Sequence, residues 1–164
     1  MGKIGIYPGT FDPITYGHID VIRRALEIVS KLIIAVSIDY SKNCLFSAEE
    51  RVSIIKKALF KDLNFKNKIV KVLAFNTLTT SLCSKYKASI MFRGLRAVSD
   101  FEYEFQLSGM NRQLNNKIET VFLMSDPNNQ VISSNLVKEI AKLNGKINNF
   151  VTTSTQKTIK EKYE

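Results

Sequence analysis

Apolar and polar positions fall in blocks along the chain, and the blocks change period in a regular order. Ile4–Tyr7 is a short apolar run of the buried-strand type. Gly17–Ser30 carries Ile19, Ile22, Leu26 and Val29 at the spacing of one helix face. Leu32–Ile38 is almost wholly apolar and rich in β-branched residues, as in a strand covered on both sides. Ser47-Ala48-Glu49-Glu50 has the Ser-x-x-Glu spacing of a capping box and predicts a helix through about Leu59. Ile69–Ala74 predicts a strand, Leu78–Lys85 a short helix, and Ser89–Phe92 a strand that ends at Arg93-Gly94. Asp100–Asn115 has helical spacing with Phe101 and Phe105 on it, and Thr120–Met124 is a fifth strand. Ser133-Ser134-Asn135 leads into a helix over Leu136–Leu143 that stops at Asn144-Gly145, and a last helix covers about Thr152–Glu164. Strands alternating with helices predict an α/β fold, a doubly wound five-stranded parallel sheet in a single domain over residues 1–164. Repeats, low-complexity tracts and linkers are absent from the pattern.

Sheets of this kind bind ligands at the carboxyl ends of their strands. Each polar cluster here follows a predicted strand: Gly9–His18, Asp39–Lys42, Phe75–Thr79, Arg93–Arg96 and Ser125–Asn135. The first is the most informative. A Gly/Pro turn delivers Gly17 and His18 to the first turn of a helix, where unpaired N–H groups and the helix dipole favour an anion. Gly17 leaves room for close approach, and His18, the single histidine, adds a cationic or neutral donor. Two arginines around Gly94 suit phosphate oxygens, because guanidinium forks match them. The start of the helix after Ser133 forms a second anion site.

Composition narrows the partners. The net charge is +9, but lysines outnumber arginines 18 to 6 and are scattered, so a solvated basic surface is expected and nucleic acid is not the expected partner. No apolar run is long enough to span a bilayer and no signal pattern opens the chain, so a cytoplasmic protein without a membrane partner is expected. Cys44 and Cys83 are far apart and, with one histidine, predict free thiols and no zinc site.

Gly9-Thr10-Phe11-Asp12-Pro13 followed by Thr15-x-Gly17-His18 resembles the (H/T)xGH signature of the nucleotidylyltransferase superfamily. With Tyr7-Pro8 before it, the segment resembles the bacterial phosphopantetheine adenylyltransferases. Further segments resemble the same family in the same order. They are Asp39-Tyr40-Ser41-Lys42 with Phe46-Ser47-x-Glu49-Glu50-Arg51, then Arg93-Gly94-Leu95-Arg96-Ala97-Val98-x-Asp100-Phe101-Glu102-Tyr103-Glu104, then Ile132-Ser133-Ser134-Asn135. Departures from the family pattern are Asn43, Cys44, Leu45, Ser125, Asn129 and Asn135. The resemblance implies a Rossmann-like nucleotidylyltransferase fold and adenylyl transfer from ATP to 4′-phosphopantetheine. It implies His18 as transition-state stabiliser, with Lys42 and Arg93 as further catalytic residues. Thr10, Lys42, Thr79 and Arg93 would bind the acceptor. Thr10, Phe11, His18, Gly94, Leu95, Arg96 and Glu104 would bind the nucleotide, together with Asn129, Gln130, Val131, Ile132, Ser133, Ser134 and Asn135. Mg2+ bound through the ATP phosphates, a homohexamer and feedback inhibition by coenzyme A follow from the same resemblance. A sibling transferase with another acceptor phosphate and a basic nucleic-acid-binding module are the alternatives.

Overall fold

The computed structural model describes residues 2–39, 41 and 43–164, with the side chains of Val98 and Ser99 outside that description. Its strands are β1 (Ile4–Gly9), β2 (Lys31–Ser37), β3 (Val70–Phe75), β4 (Ile90–Leu95) and β5 (Glu119–Met124). The helices are α1 (Tyr16–Ile28), α2 (Ala48–Lys56), α3 (Thr79–Lys85), α4 (Val98–Leu114), α5 (Ser134–Lys142) and α6 (Thr153–Tyr163). The five strands form one sheet in the order β3-β2-β1-β4-β5, every pair parallel.

Alternation along β2 sorts the core. Leu32, Ile34 and Val36 join the larger cluster on one side of the sheet, with Ile19, Ile22, Ile54, Ile55 and Leu59. Ile33 and Ala35 join the smaller one, with Ile6, Leu82, Cys83 and Met91. Burial on both faces explains why the strand reads as one apolar run.

Strand order reverses between β1 and β4, and there the ladder is short. β1 pairs with β2 over six positions, Ile4↔Lys31 to Gly9↔Val36, but with β4 only at Gly5↔Ile90 and Ile6↔Met91. Beyond Met91 the two strands part, and a cleft opens at their carboxyl ends, as at other switch points. Pro8 sits in this central strand without costing a ladder bond. Its carbonyl is directed to the β4 side, where it accepts from Arg93 Nη1 at 2.9 Å, and pairing there has already stopped.

Element boundaries differ from the pattern where long-range pairing extends them. β1 continues past Tyr7 to Gly9 because β2 pairs with it that far. β4 continues through Arg93 and Gly94 because β5 pairs up to Leu95↔Met124. After α2 the chain takes a π-helical turn over Lys57–Asp62, which buries Ala58 and Leu59. Asp62 then accepts the Ser154 N–H at 2.9 Å and anchors the start of α6.

Candidate active site

Thr15 is the N-cap of α1, and His18 stands at the third helical position, where a capping box normally has Glu or Gln. The imidazole takes that role. Nδ1 lies 3.0 Å from the Thr15 N–H and 3.0 Å from Thr15 Oγ1. A backbone N–H can only donate, so Nδ1 is the acceptor and the ring proton is on Nε2. Burial, with the nearby Arg96 charge, lowers the His18 pKa from 6.5 to about 4. The open alternative of a cation or a neutral donor is thereby resolved: in the free protein at neutral pH, His18 is a neutral N–H donor.

Across the switch point, Arg93 is held on three sides. Its Nε donates to Glu104 Oε2 at 2.7 Å, Nη2 donates to Glu104 Oε1, and Nη1 donates to the Pro8 carbonyl. Burial works against the guanidinium charge, but the Glu104 hydrogen bonds and charge outweigh it and raise the Arg93 pKa. Three of five N–H groups are engaged, leaving one on each terminal nitrogen. Glu104, buried on α4, commits both carboxylate oxygens to Arg93, so its influence on the cleft runs through that residue. Gly94 packs closely on α1: a Cβ there would lie 3.1 Å from Val21 Cγ2. Arg96 is half exposed and paired to Asp100 at 3.3 Å.

At the start of α5, Ser133 Oγ accepts the Leu136 N–H at 3.2 Å, and Ser134 Oγ donates to the Pro13 carbonyl at 2.8 Å. Both hydroxyls therefore have protein partners. The N–H groups of Ser134 and Asn135, in the first helical turn, have no intrahelical acceptor and are the groups this helix start offers an anion.

One cleft of about 750 Å3 collects these groups. Of the residues expected from the sequence, it is lined by Thr10, Phe11, His18, Arg93, Gly94, Arg96, Glu104, Ile132, Ser133, Ser134 and Asn135. Leu95 is buried beside it. Asn129 lies in a single turn of 3-10 helix, Pro127–Asn129, with its carbonyl 3.7 Å from where a Gly17 Cβ would stand. Gln130 Nε2 donates to the Ser125 carbonyl at 3.4 Å, and Val131 is exposed. Thr79 opens α3 beyond the edge strand β3 and does not line the cleft. Lys42 lies outside the described residues. No group of three or more His, Cys, Asp or Glu side chains among the described residues could hold a metal ion.

Residues 6–140 match a family model described as cytidylyltransferase-like. A phosphopantetheine adenylyltransferase of Pelagibacter ubique (strain HTCC1062) is 63% identical over 164 residues, all of both chains. One of Sphingopyxis alaskensis is 46% identical over 160 residues, 96% of this chain and 91% of that one. The chain belongs to the phosphopantetheine adenylyltransferase family. That family is one of nucleotidyltransferases. Among solved structures, a bifunctional NMN adenylyltransferase/ADP ribose pyrophosphatase from Francisella tularensis superposes with a TM-score of 0.75 at 14% identity, over 98% of this chain and 49% of that one. A lipopolysaccharide core biosynthesis protein from Thermoplasma volcanium superposes at 0.54 and 18% identity, over 77% of this chain and 98% of that one. These two likenesses establish the shared fold.

Three residues of this phosphopantetheine adenylyltransferase family member organise the cleft without a role assigned from the sequence: Asp12 and Arg51 stand inside quoted motifs, and Lys138 stands in none. Asp12, 4% exposed, accepts the Phe46 N–H at 3.0 Å, the Leu45 N–H at 2.8 Å and Lys138 Nζ at 2.7 Å. Lys138 therefore clamps α5 to the β1–α1 turn. Buried Arg51 donates to the carbonyls of Thr10 (2.7 Å), Ser37 (3.1 Å), Phe46 (3.1 Å) and Ser47 (3.3 Å). It ties the ends of β1 and β2 to the start of α2. The local signals were weak: an Asp before Pro reads as a turn residue, and a helical Lys or Arg reads as solvated.

Proposed function

We propose that this protein transfers the adenylyl group of ATP to 4′-phosphopantetheine, giving dephospho-coenzyme A and pyrophosphate, a late step of coenzyme A biosynthesis. The observation that carries the proposal is one cleft holding His18, Arg93 and the α5 start in a chain 63% identical to a named member of the family. The acceptor phosphate is already ionised at neutral pH and needs no general base. One of its oxygens attacks the ATP α-phosphorus, a new P–O bond forms, and the bond to the β-phosphate bridging oxygen breaks with its electron pair leaving on pyrophosphate.

Catalysis then rests on positioning and on stabilising charge as it moves to the leaving group. Thr10, Lys42 and Arg93 hold the acceptor phosphate, Arg93 through the two N–H groups that Glu104 and Pro8 leave free. Nε2–H of His18 donates to a phosphate oxygen of ATP. A neutral donor stabilises the transition state by hydrogen bonding, and one such donor is worth roughly 100- to 1000-fold in turnover. The N–H groups of Ser134 and Asn135 face the departing phosphates. Thr79 contacts the pantetheine arm, and Leu95 and Asn129–Ile132 border the nucleotide. The cleft carboxylates Asp12, Asp100 and Glu104 are committed to Lys138, Arg96 and Arg93. That donor set fits Mg2+ carried by the ATP phosphates, where the ion supplies charge neutralisation.

Coenzyme A shares the pantetheine arm and competes for the same cleft as a feedback inhibitor. Phe101, Tyr103, Phe105, Met110 and Leu114 of α4 are exposed large apolar or aromatic side chains, which supports self-association through this helix; the family resemblance sets the expected assembly as a homohexamer. No helix among the described residues is long and apolar enough to cross a membrane. The test is pyrophosphate release on mixing the protein with ATP, Mg2+ and 4′-phosphopantetheine, with nicotinate mononucleotide as the rival acceptor. Dephospho-coenzyme A, identified by mass, is expected. No product, or a preference for the rival acceptor, refutes the proposal. His18→Ala is expected to lower turnover far more than it weakens ATP binding.

A further inference from the structure

Phe11 has an unusual backbone and an unusual seat. Its φ of 51° lies in the left-handed region, which crowds a β-carbon and costs on the order of 1 kcal/mol. Its ring is 2% exposed and lies flush against Gly9, where an added Cβ would come within 2.9 Å of two ring carbons. Tyr7 meets the same ring edge-on, with centroids 5.2 Å apart and planes at 87°. The Phe11 ring also meets the His18 imidazole, with centroids 5.0 Å apart and planes at 62°. The turn is strained, one residue must lack a side chain, and the result is an aromatic wall against the imidazole.

We infer that Phe11 is a positioning residue for His18, its ring seated on bare Gly9 and backed by Tyr7 so that the imidazole plane is held and Nε2–H is delivered to the cleft. Thr15 and Phe11 divide the task. The Thr15 N–H selects the tautomer and prevents a flip of the ring. A hydrogen bond to one nitrogen still leaves the ring free to tilt about it, and the Phe11 ring removes that freedom. The same contact keeps water from the side of the imidazole that Phe11 covers. The charged group that acts on His18 is Arg96, at the carboxyl end of β4, which also disfavours protonation. The assignment rests on the proposed function for its catalytic consequence, but not for its spectroscopic one.

Because the chain has one histidine, its imidazole C–H protons give a single pair of NMR signals to titrate. In the wild type a midpoint near 4 is expected. Phe11→Leu removes the wall, and Gly9→Ala displaces it from behind while leaving Phe11 in place. Both are expected to raise the midpoint by at least about one unit toward the ordinary 6.5. They should also lower kcat about 10- to 100-fold, with KM for ATP changed less than about threefold. A wild-type midpoint near 6.5 overturns the inference, as does an unchanged midpoint in the folded variants or a kcat loss matched by KM. If Phe11→Leu does not fold, Gly9→Ala and Phe11→Met decide in its place. The titration needs no turnover, so a wild type that makes no dephospho-coenzyme A removes the proposed function and leaves the positioning result to stand or fall alone.

Discussion

Asp12→Asn is the most severe single-atom test of the architecture. The carboxylate accepts three donors: two backbone N–H groups and the Lys138 ammonium. An asparagine can present one oxygen. Placed where Oδ2 stands, it keeps the Leu45 N–H and Lys138, and its NH2 then faces the Phe46 N–H, donor against donor. Phe46 is 1% exposed, and an unmet buried N–H costs about 1–3 kcal/mol. Lys138 loses its counter-charge as well. Breaking a buried pair costs about 3–5 kcal/mol, but the lysine side chain is 18% exposed, reaches the cleft and keeps the amide oxygen as acceptor, so about 1–2 kcal/mol applies. With about 2 kcal/mol for the unmet N–H, the sum is about 3–4 kcal/mol. For a domain of this length, that is a fall in Tm of roughly 6–16 °C.

The chain has no Trp, so urea unfolding is followed by far-UV circular dichroism, and an unchanged m-value shows that the native fold is kept. Lys138→Met should cost less, about 2 kcal/mol, because both backbone donors still satisfy the carboxylate. The double variant should then fall short of additivity by about 1–2 kcal/mol. A loss below about 1 kcal/mol in Asp12→Asn, or strict additivity with Lys138→Met, would refute the three-donor account.

Glu104→Gln removes the counter-charge of largely buried Arg93 and sets an NH2 against one of its N–H groups, keeping one amide oxygen and the Pro8 carbonyl as acceptors; a stability loss of about 2–3 kcal/mol and a rise in KM for the acceptor with KM for ATP little changed are expected, and unchanged steady-state kinetics would count against the role of the clamp. Stability should fall as pH drops from 6.5 toward 4, because the unfolded chain takes up a proton on His18 in that window and the native state does not. The contribution is on the order of 3 kcal/mol, read as the difference between wild type and His18→Gln, and a flat difference contradicts it. Cys83 is buried and its thiol is pushed up to about 11 by burial, whereas Cys44 is half-buried beside the cleft. An aromatic disulfide reagent should therefore titrate one thiol quickly and the second only on unfolding; two fast thiols would show that the smaller core opens readily.

Much of the molecule was legible in one dimension. The order of strands and helices followed from side-chain period and capping residues, because those preferences act between neighbours a few positions apart. The anion-binding character of the Gly9–His18 turn and of the α5 start could be named for the same reason, since a helix N-terminus exposes its N–H groups whatever packs around it. Chain pattern could not place β1 next to β4, and that adjacency opens the cleft. It also could not tell that Glu104 serves Arg93, nor that Asp12 meets Lys138 across 126 positions. Such pairs depend on how the sheet folds back on itself, and the cost of burying one charge is offset only by whichever opposite charge arrives. The state of His18 belongs to the same class. An imidazole has no fixed charge near neutrality until its neighbours exclude water and occupy one nitrogen, and here Phe11 and Thr15 do both.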